Sequence, residues 1–291
     1  VLYPKYANSK RVSKKNVTSL NDAVVAFASQ HVIYYAVDKV KAKKKIGFIH
    51  NDYSKSDYRY YKIDKEYFNK LDYLATISDE CVKVLKDYFP DLKDKIICIP
   101  NIVSCDYIEN LSKEYYPEEM SDKDWKYLVT TCRISINDKG LDLIVECAKY
   151  FKDLHKKIKW IIVGGGGEEE KLRDLIALNK VEKYVVITGQ KINPYPYVRN
   201  CDLFVQPSRF EGKSISVDEA KLLCKPILIT DYSTAKDQII NNENGVICKI
   251  DSNEIANNII NLLNDTSICD KFVSNLKMTK KRTRVKCSKV A

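Results

Sequence analysis

The sequence lacks the long apolar segments that membrane proteins and secreted precursors carry. No apolar run among its 291 residues approaches the roughly 18 residues needed to span a bilayer. Residues 1–6 contain no apolar core of the kind found in a signal peptide. These absences predict a cytoplasmic protein. Because the first residue is not Met, we expect the chain to be processed, cut or a fragment.

The sequence also has few of the residues that bind transition metals. Its three histidines (His31, His50 and His155) are too scattered to form a zinc site. None of the ten cysteines forms a C-x-x-C pair, and most lie within apolar patterns. We therefore expect reduced, buried thiols, as in a cytosolic protein, and no bound metal.

The formal net charge is +10, and the lysines are spread along the chain instead of forming one stripe. A solvated surface is one interpretation. Attraction to an anionic membrane face is another, since each basic residue near the lipid contributes about 1 kcal/mol. No nucleic-acid-binding motif is present, so a nucleic-acid partner is not predicted.

Short apolar runs alternate with amphipathic stretches along most of the chain. These runs are continuous, which favours parallel sheets covered on both faces over half-exposed antiparallel ones. The predicted strands are 23–28, 46–50, 73–77, 96–100, 127–131, 159–163, 184–188, 202–205, 226–230 and 245–248. The clearest predicted helices are 80–89, 140–153, 167–179, 214–223 and 252–264.

This order predicts an α/β protein with two domains. We expect an N-terminal domain at 1–105, a polar linker at 106–125, a doubly wound C-terminal domain at 126–265 and a basic tail at 266–291. From residue 277 the tail shows no apolar helical face, so disorder is expected there. A ligand of a doubly wound domain binds at the carboxyl ends of its strands.

Two glutamates eight positions apart, Glu211 and Glu219, are the most informative feature. The strand at 202–205 leads into a turn with Glu211, and Glu219 lies in the first turns of the next helix. A strand, a glycine-containing loop and a helix N-terminus form an anion site. Carboxylates beside such a site favour a ligand with both phosphates and hydroxyls, such as a nucleotide sugar. The loop and helix start contribute Gly212, Lys213, Ser214 and Ile215.

Further candidate residues follow other strands. Arg133 and Lys139 precede a predicted helix, where a guanidinium and an ammonium can bind two phosphates. The glycines at 164–167 form either a ligand-binding turn or a simple strand-to-helix turn; Glu169 replaces the third glycine of a dinucleotide fingerprint, so NAD is a poor match. His50 ends a predicted strand. Three roles stay open for it: a general acid, a hydrogen-bond donor to a sugar, or a capped loop residue.

These motifs together resemble GT-B retaining glycosyltransferases of family 4, the glycosyl transferases group 1. Glu211 and Glu219 resemble the E-x7-E element of that family, and Arg133 and Lys139 resemble its basic pair. Segments 162–166, 49–51 and 97–101 resemble its glycine turn, its histidine loop and its link between domains. The bacterial type that builds capsular or other surface polysaccharides is the most similar.

The resemblance implies two Rossmann-like doubly wound domains with a cleft between them. It implies transfer of a hexose from a nucleoside diphosphate sugar to a lipid-linked or polysaccharide acceptor, with retention of configuration and without metal or cofactor. Arg133, Lys139, Glu211 and His50 would be catalytic, with Glu219 on the ribose and Glu211 near the sugar hydroxyls. The other implied donor contacts are Gly164, Gly165, Gly189, Gln190, Lys191, Gly212, Lys213, Ser214 and Ile215.

The sequence departs from the family pattern in two ways. Gly212-Lys213-Ser214 replaces the usual Gly-Phe-Gly, and four predicted strands before residue 101 leave the N-terminal domain incomplete. Two alternatives therefore stay open: a nucleotide-sugar-binding protein without turnover, and a nucleotide-sugar epimerase. The protein would act in the cytoplasm, with possible peripheral contact with the inner face of the membrane. The base, sugar, linkage and acceptor are not predicted.

Overall fold

A computed structural model describes residues 17–27, 30–55, 60–101 and 103–287. The chain divides into two compact units, Val1–Asn101 and Ile102–Ala291. The first 16 residues of the predicted N-terminal domain, Ala28 of the first predicted strand and the last four residues of the predicted tail lie outside the described residues.

All ten predicted strands are present, and they alternate with helices. The strands are β1 (Val17–Ala26), β2 (Val40–Ile49), β3 (Tyr73–Thr76), β4 (Ile96–Cys98), β5 (Lys126–Thr131), β6 (Ile158–Val163), β7 (Val185–Ile187), β8 (Leu203–Gln206), β9 (Ile227–Thr230) and β10 (Val246–Cys248). The helices are α1 (Gln30–Lys39), α2 (Tyr61–Asn69), α3 (Asp79–Tyr88), α4 (Cys105–Leu111), α5 (Leu141–Asp153), α6 (Glu169–Leu178), α7 (Tyr195–Asn200), α8 (Ile215–Leu222), α9 (Ser252–Asn264) and α10 (Thr266–Cys287).

The first unit contains a parallel sheet in the order β1-β2-β3-β4. Its helices pack on a core that includes Ile33, Phe68 and Leu85. Helix α3 begins as predicted, because the Ser78 hydroxyl caps it by accepting the Cys81 N–H. Sequential order without reversal is the order of one half of a doubly wound sheet.

The second unit contains a parallel sheet in the order β10-β9-β8-β5-β6-β7. This is the dinucleotide-binding order, in which the chain starts at a central strand, winds outward to one edge and then returns to build the other half. The reversal point lies between β5 and β8, which pair at Leu128 with Leu203 and at Val129 with Phe204. The loops that follow β5 and β8 are therefore expected to border a ligand site.

Both faces of this second sheet are buried, which explains its continuous apolar strands. On one face Leu128, Trp160 and Ile162 pack with helices α5, α6, α9 and α10. On the other face Val129 and Ile161 pack with α7 and α8. Neighbouring residues of a strand point to opposite faces, so each strand supplies apolar side chains to two cores.

The predicted linker at 106–125 is instead a folded part of the second unit. It contains most of α4 and a short 3-10 helix at Glu118–Met120. Its few apolar side chains are the ones that count, since Ile108, Met120 and Trp125 are all buried. The high average polarity of residues 106–125 therefore predicts a linker, although a small number of buried residues anchor this segment.

The prediction of a disordered tail is also wrong, since α10 extends from Thr266 to Cys287. Phe272 and Leu276 lie four positions apart on one helical face, and both are buried. Lysine and arginine are good helix formers, so the basic residues continue a helix that packing has already started. Lys280 pairs with Glu109 of α4 at 2.8 Å.

Within the described ranges, every helix is too short or too polar to cross a membrane.

Candidate active site

The loops that follow β5 and β8 bring Lys139 and Glu211 together. Lys139 Nζ donates to Glu211 Oε1 at 2.8 Å, and the two side chains are only 18% and 9% exposed. The same oxygen accepts hydrogen bonds from Ser208 Oγ at 2.8 Å and from Gln206 Nε2 at 3.2 Å. This network fixes Glu211 through Oε1, so Oε2 is the oxygen through which it can meet a ligand.

Glycine at position 140 makes this approach of the two loops possible. Gly140 has φ +62°, and a Cβ there would lie 2.0 Å from the carbonyl oxygen of Pro207. Beside it, Arg209 N–H donates to the Asp138 carbonyl at 2.9 Å. The Arg209 guanidinium binds both carboxylate oxygens of Asp142 at 2.7 Å. A two-point ion pair of this kind has a fixed geometry. It therefore holds the loop after β8, which carries Glu211, against the start of α5, which follows the loop that carries Lys139.

Glu219 lines a separate pocket of about 210 Å³ in the second unit. It lies on α8, and Tyr195 of α7 donates a hydrogen bond from its hydroxyl to Glu219 Oε1 at 3.0 Å. Burial raises the pKa of Glu219, although the Tyr195 hydrogen bond opposes that shift. The neighbouring Ser216 hydroxyl donates to the Thr131 carbonyl at 2.8 Å, which ties α8 to the end of β5.

The predicted glycine turn lines the same pocket. Gly164, Gln190 and Lys191 contribute to its wall, and Gly164 N–H donates to the Gly189 carbonyl at 3.0 Å, which joins the loops after β6 and β7. A Cβ on Gly165 would meet Gln190 at 3.5 Å, an ordinary contact. Gly164 is a structural requirement as well, because its φ is +151° and a Cβ would lie 1.8 Å from the Cys132 carbonyl oxygen.

The loop before α8 is partly occupied by protein contacts. Ser214 N–H donates to Gln238 Oε1 at 2.9 Å, so this amide is already engaged. Lys213 Nζ lies 3.9 Å from Asp218 Oδ2. Ile215 is the first residue of α8, where amides have no partner within the helix. Gly212 lies between Glu211 and Lys213, and the Glu211 carbonyl accepts from the Thr234 hydroxyl at 2.9 Å.

Arg133 and His50 are not part of the buried network. The Arg133 side chain is 72% exposed, and its nearest acid is Asp138 at 3.9 Å, so it is free to turn toward a ligand. His50 belongs to the first unit, where its Nε2 lies 3.1 Å from the Phe27 carbonyl oxygen. A carbonyl only accepts, so Nε2 carries the proton and Nδ1 remains an acceptor when the ring is neutral.

The structure adds residues that the sequence did not single out, namely Thr131, Asp142, Tyr195, Gln206 and Arg209. Thr131 ends β5 and lines the pocket, and its buried hydroxyl has no hydrogen-bond partner among the described residues. The sequence already predicts that Ser208 follows a strand, three positions before Glu211, and Ser208 donates to that carboxylate. The others depend on contacts between distant segments.

No group of three or more His, Cys, Asp or Glu side chains that could hold a metal ion occurs within the described part of the chain. Positive charge next to Glu211 comes from Lys139, and Arg133 lies in the same loop.

A family model described as glycosyl transferases group 1 matches residues 113–279, which is more than half of the chain. The chain belongs to this family. An uncharacterized glycosyltransferase of Methanocaldococcus jannaschii is 29% identical over 189 residues, covering 64% of this chain and 46% of that protein. The N,N'-diacetylbacillosaminyl-diphospho-undecaprenol alpha-1,3-N-acetylgalactosaminyltransferase of Campylobacter jejuni is 28% identical over 185 residues, covering 61% and 48%. The match spans about half the length of these curated relatives.

The fold comparison agrees with this family. The crystal structure of Anabaena HepE in complex with UDP and glucose superposes with a TM-score of 0.76 at 16% identity, covering 90% of this chain and 73% of that chain. At this identity the likeness shows the fold alone. The predicted GT-B class, built from Rossmann-like α/β units, is confirmed.

Proposed function

We propose that this chain carries the donor-binding unit of a glycosyltransferase that moves a hexose from a UDP-sugar to a lipid-linked or polysaccharide acceptor, with retention of configuration. The carrying observation is that a mostly buried Lys139–Glu211 pair and the Glu219 pocket both lie at the carboxyl edge of the sheet with the dinucleotide-binding strand order. The undecaprenol-linked acceptor in the name of the Campylobacter enzyme supports a lipid-linked acceptor. The HepE complex with UDP and glucose supports the donor.

Each side chain then has a role that its surroundings allow. Glu219 accepts hydrogen bonds from the ribose hydroxyls, and Gln190 and Lys191 border the base. Lys139 and Arg133 bind the diphosphate and stabilise the charge that develops on it as the glycosidic bond breaks. The amides at the start of α8 assist, because a helix N-terminus attracts anions. Oε2 of Glu211 accepts from the sugar hydroxyls.

The proposed chemistry places charge neutralisation on protein groups. Lys139 leaves Glu211 for the diphosphate, or shares its three N–H donors between them, since an ammonium can bind both. The departing diphosphate takes up the proton of the acceptor hydroxyl, so no covalent protein nucleophile takes part. A cytoplasmic site, with the basic chain resting on an anionic membrane surface, is part of the same proposal.

Incubation of the chain with radiolabelled UDP-glucose tests turnover. Release of UDP together with labelled glucose, or with labelled glycan when undecaprenyl-linked acceptor is supplied, is the result that supports a transferase. Saturable UDP-glucose binding without release would favour a binding protein instead. Formation of a stereoisomeric UDP-hexose without acceptor would favour an epimerase.

Replacing Arg133 by alanine should weaken UDP binding by about 1.5–3 kcal/mol, or roughly 10- to 150-fold, because hydrogen bonds to charged groups contribute that much. Isothermal titration calorimetry measures this loss directly. Arg199→Ala is the matched control, since Arg199 is an exposed arginine on α7 and should leave affinity unchanged. Equal affinities of Arg133→Ala and the wild type would remove Arg133 from the site.

Affinity for UDP should rise with pH through the titration of Glu219. Its raised pKa means that Glu219 remains protonated at a higher pH than an exposed glutamate. The neutral acid accepts ribose hydrogen bonds less well than the carboxylate. UDP affinity measured from about pH 4.5 to about pH 8 should therefore show a rise, the Glu219 limb of the pH profile, that Glu219→Gln lacks. The phosphates of UDP titrate near about pH 6 in both proteins, so the difference between the curves isolates Glu219.

A further inference from the structure

The contact between Tyr195 and Glu219 points to a residue outside the roles given above. Tyr195 OH donates to Glu219 Oε1 at 3.0 Å. Among the residues that the structure describes, this is the one side-chain hydrogen bond recorded for that carboxylate. Oε2 of Glu219 is thus left for a ligand in the pocket that Glu219 lines. The protein therefore holds one carboxylate oxygen of Glu219 and leaves the other for the pocket, which fixes the orientation of Glu219 as a hydrogen-bond acceptor.

Tyr195 is itself fixed in place by its neighbours. Its N–H donates to Asn193 Oδ1 at 3.2 Å. The Asn193 amide nitrogen donates to the Leu111 carbonyl at 2.9 Å and to Glu114 at 2.8 Å, and Tyr115 OH donates to the Asn193 carbonyl. Pro194 and Pro196 flank Tyr195 and restrict the backbone on both sides. The hydroxyl is therefore presented from a segment anchored to the end of α4.

Glu219 needs such an anchor because its own helix does not supply one. It lies at the fifth position of the eight-residue helix α8, whose buried contacts come from Val217 and Ala220. Glutamate has three rotatable side-chain bonds, and without a partner it would populate several rotamers. A hydrogen bond to one carboxylate oxygen selects among these rotamers before the ligand arrives, which lowers the cost of ordering the group on binding.

We propose that Tyr195 is a positioning residue that orients Glu219 so that Oε2 meets the ribose hydroxyls of the bound nucleotide. This rests on the proposed function, in which Glu219 binds the ribose. Tyr195 does not itself touch the nucleotide in this arrangement. Its contribution is to make the pocket selective for a ribose that carries hydroxyl groups.

The experiment compares UDP with 2′,3′-dideoxy-UDP on the wild type and on Tyr195→Phe by calorimetry. The wild type should prefer UDP, and Tyr195→Phe should lose roughly tenfold in UDP affinity while its affinity for dideoxy-UDP stays within about twofold. The limb of the pH profile assigned to Glu219 should also move to higher pH in the variant, since the hydroxyl favours the charged carboxylate.

Tyr197→Phe is the matched control. Tyr197 lies on the same helix, and its hydroxyl donates to Glu119 at 2.9 Å, away from the pocket lining. It should lose a comparable hydroxyl–carboxylate bond and keep the wild-type ratio of UDP to dideoxy-UDP affinity. A reduced preference for UDP over 2′,3′-dideoxy-UDP in both Tyr195→Phe and Tyr197→Phe would indicate a general loosening of α7. That result would overturn the assignment to Tyr195.

The two proposals fail in different ways. An unchanged ratio in Tyr195→Phe, with the wild type still preferring UDP, overturns the role of Tyr195 and leaves the ribose contact of Glu219 in place. A wild type that binds both nucleotides equally well overturns both, since no ribose contact then exists to be positioned.

Discussion

Lys139→Met should weaken UDP binding by about 100-fold and also destabilise the second unit by about 2–3 kcal/mol. The binding loss follows from removal of a charged donor to phosphate, which contributes up to about 3 kcal/mol. The stability loss follows because Glu211, with a side chain only 9% exposed, keeps its charge without its ion partner. Calorimetry with UDP and urea denaturation measure the two effects.

A double variant separates the two effects. Lys139→Met with Glu211→Gln removes both charges, so most of the lost stability should return while UDP binding stays weak. Lys126→Met is the matched control for lysine removal: it pairs with Asp202 at 3.1 Å, at the opposite end of β5, and is 56% exposed. A surface pair contributes at most about 1 kcal/mol. Wild-type UDP affinity in Lys139→Met would show that Lys139 does not bind the diphosphate.

The unfolding of Lys139→Met and of the double variant can be measured in the second unit alone. The two tryptophans of the chain, Trp125 and Trp160, are buried in that unit. Tryptophan fluorescence during urea denaturation therefore reports unfolding of the second unit without a signal from the first. This matters because a single unfolding free energy is not defined for a chain whose units unfold separately.

The strands and the site loops were predictable because their signals are local. Runs such as 159–163 are continuous and apolar, and the doubly wound arrangement follows from their alternation with helices. The segments that follow parallel strands start at one sheet edge, so topology alone predicts that Lys139, Glu211, Gly164 and Glu219 belong to that edge. The ion pair between Lys139 and Glu211 is the outcome of that topology.

The remaining parts of the site depend on contacts that spacing does not encode. Tyr195 and Glu219 are 24 positions apart, and Arg209 and Asp142 are 67 apart. Each pair forms because helix starts and loops that follow different strands meet in the folded second unit, and their side-chain types are unremarkable in isolation. The incorrect predictions at α4 and α10 have a related cause, because average polarity predicts a linker and a disordered tail where a few buried residues, such as Ile108 and Phe272, decide the structure.

Gly164→Ala should be among the most damaging single substitutions in the second unit, with a cost of about 4 kcal/mol or failure to fold. The backbone at Gly164 has φ +151°, which residues with a Cβ rarely adopt, and the new Cβ would lie 1.8 Å from the Cys132 carbonyl oxygen. Relief would require β5 and β6 to separate at their ends, where Cys132 N–H bonds to the Val163 carbonyl at 3.1 Å. Tryptophan fluorescence in urea measures the cost.

Gly167→Ala provides the control within the same run of four glycines. A Cβ at Gly167 would meet nothing within 4 Å, and its φ is not positive, so the change should stay within about 0.5 kcal/mol or stabilise slightly by restricting the unfolded chain. The contrast distinguishes a specific steric requirement from a general preference for glycine in the turn. Wild-type stability of Gly164→Ala would mean that the loops after β5 and β6 do not approach as described. The wall of the pocket that Glu219 lines would then need a different construction, because Cys132 and Gly164 both form part of it.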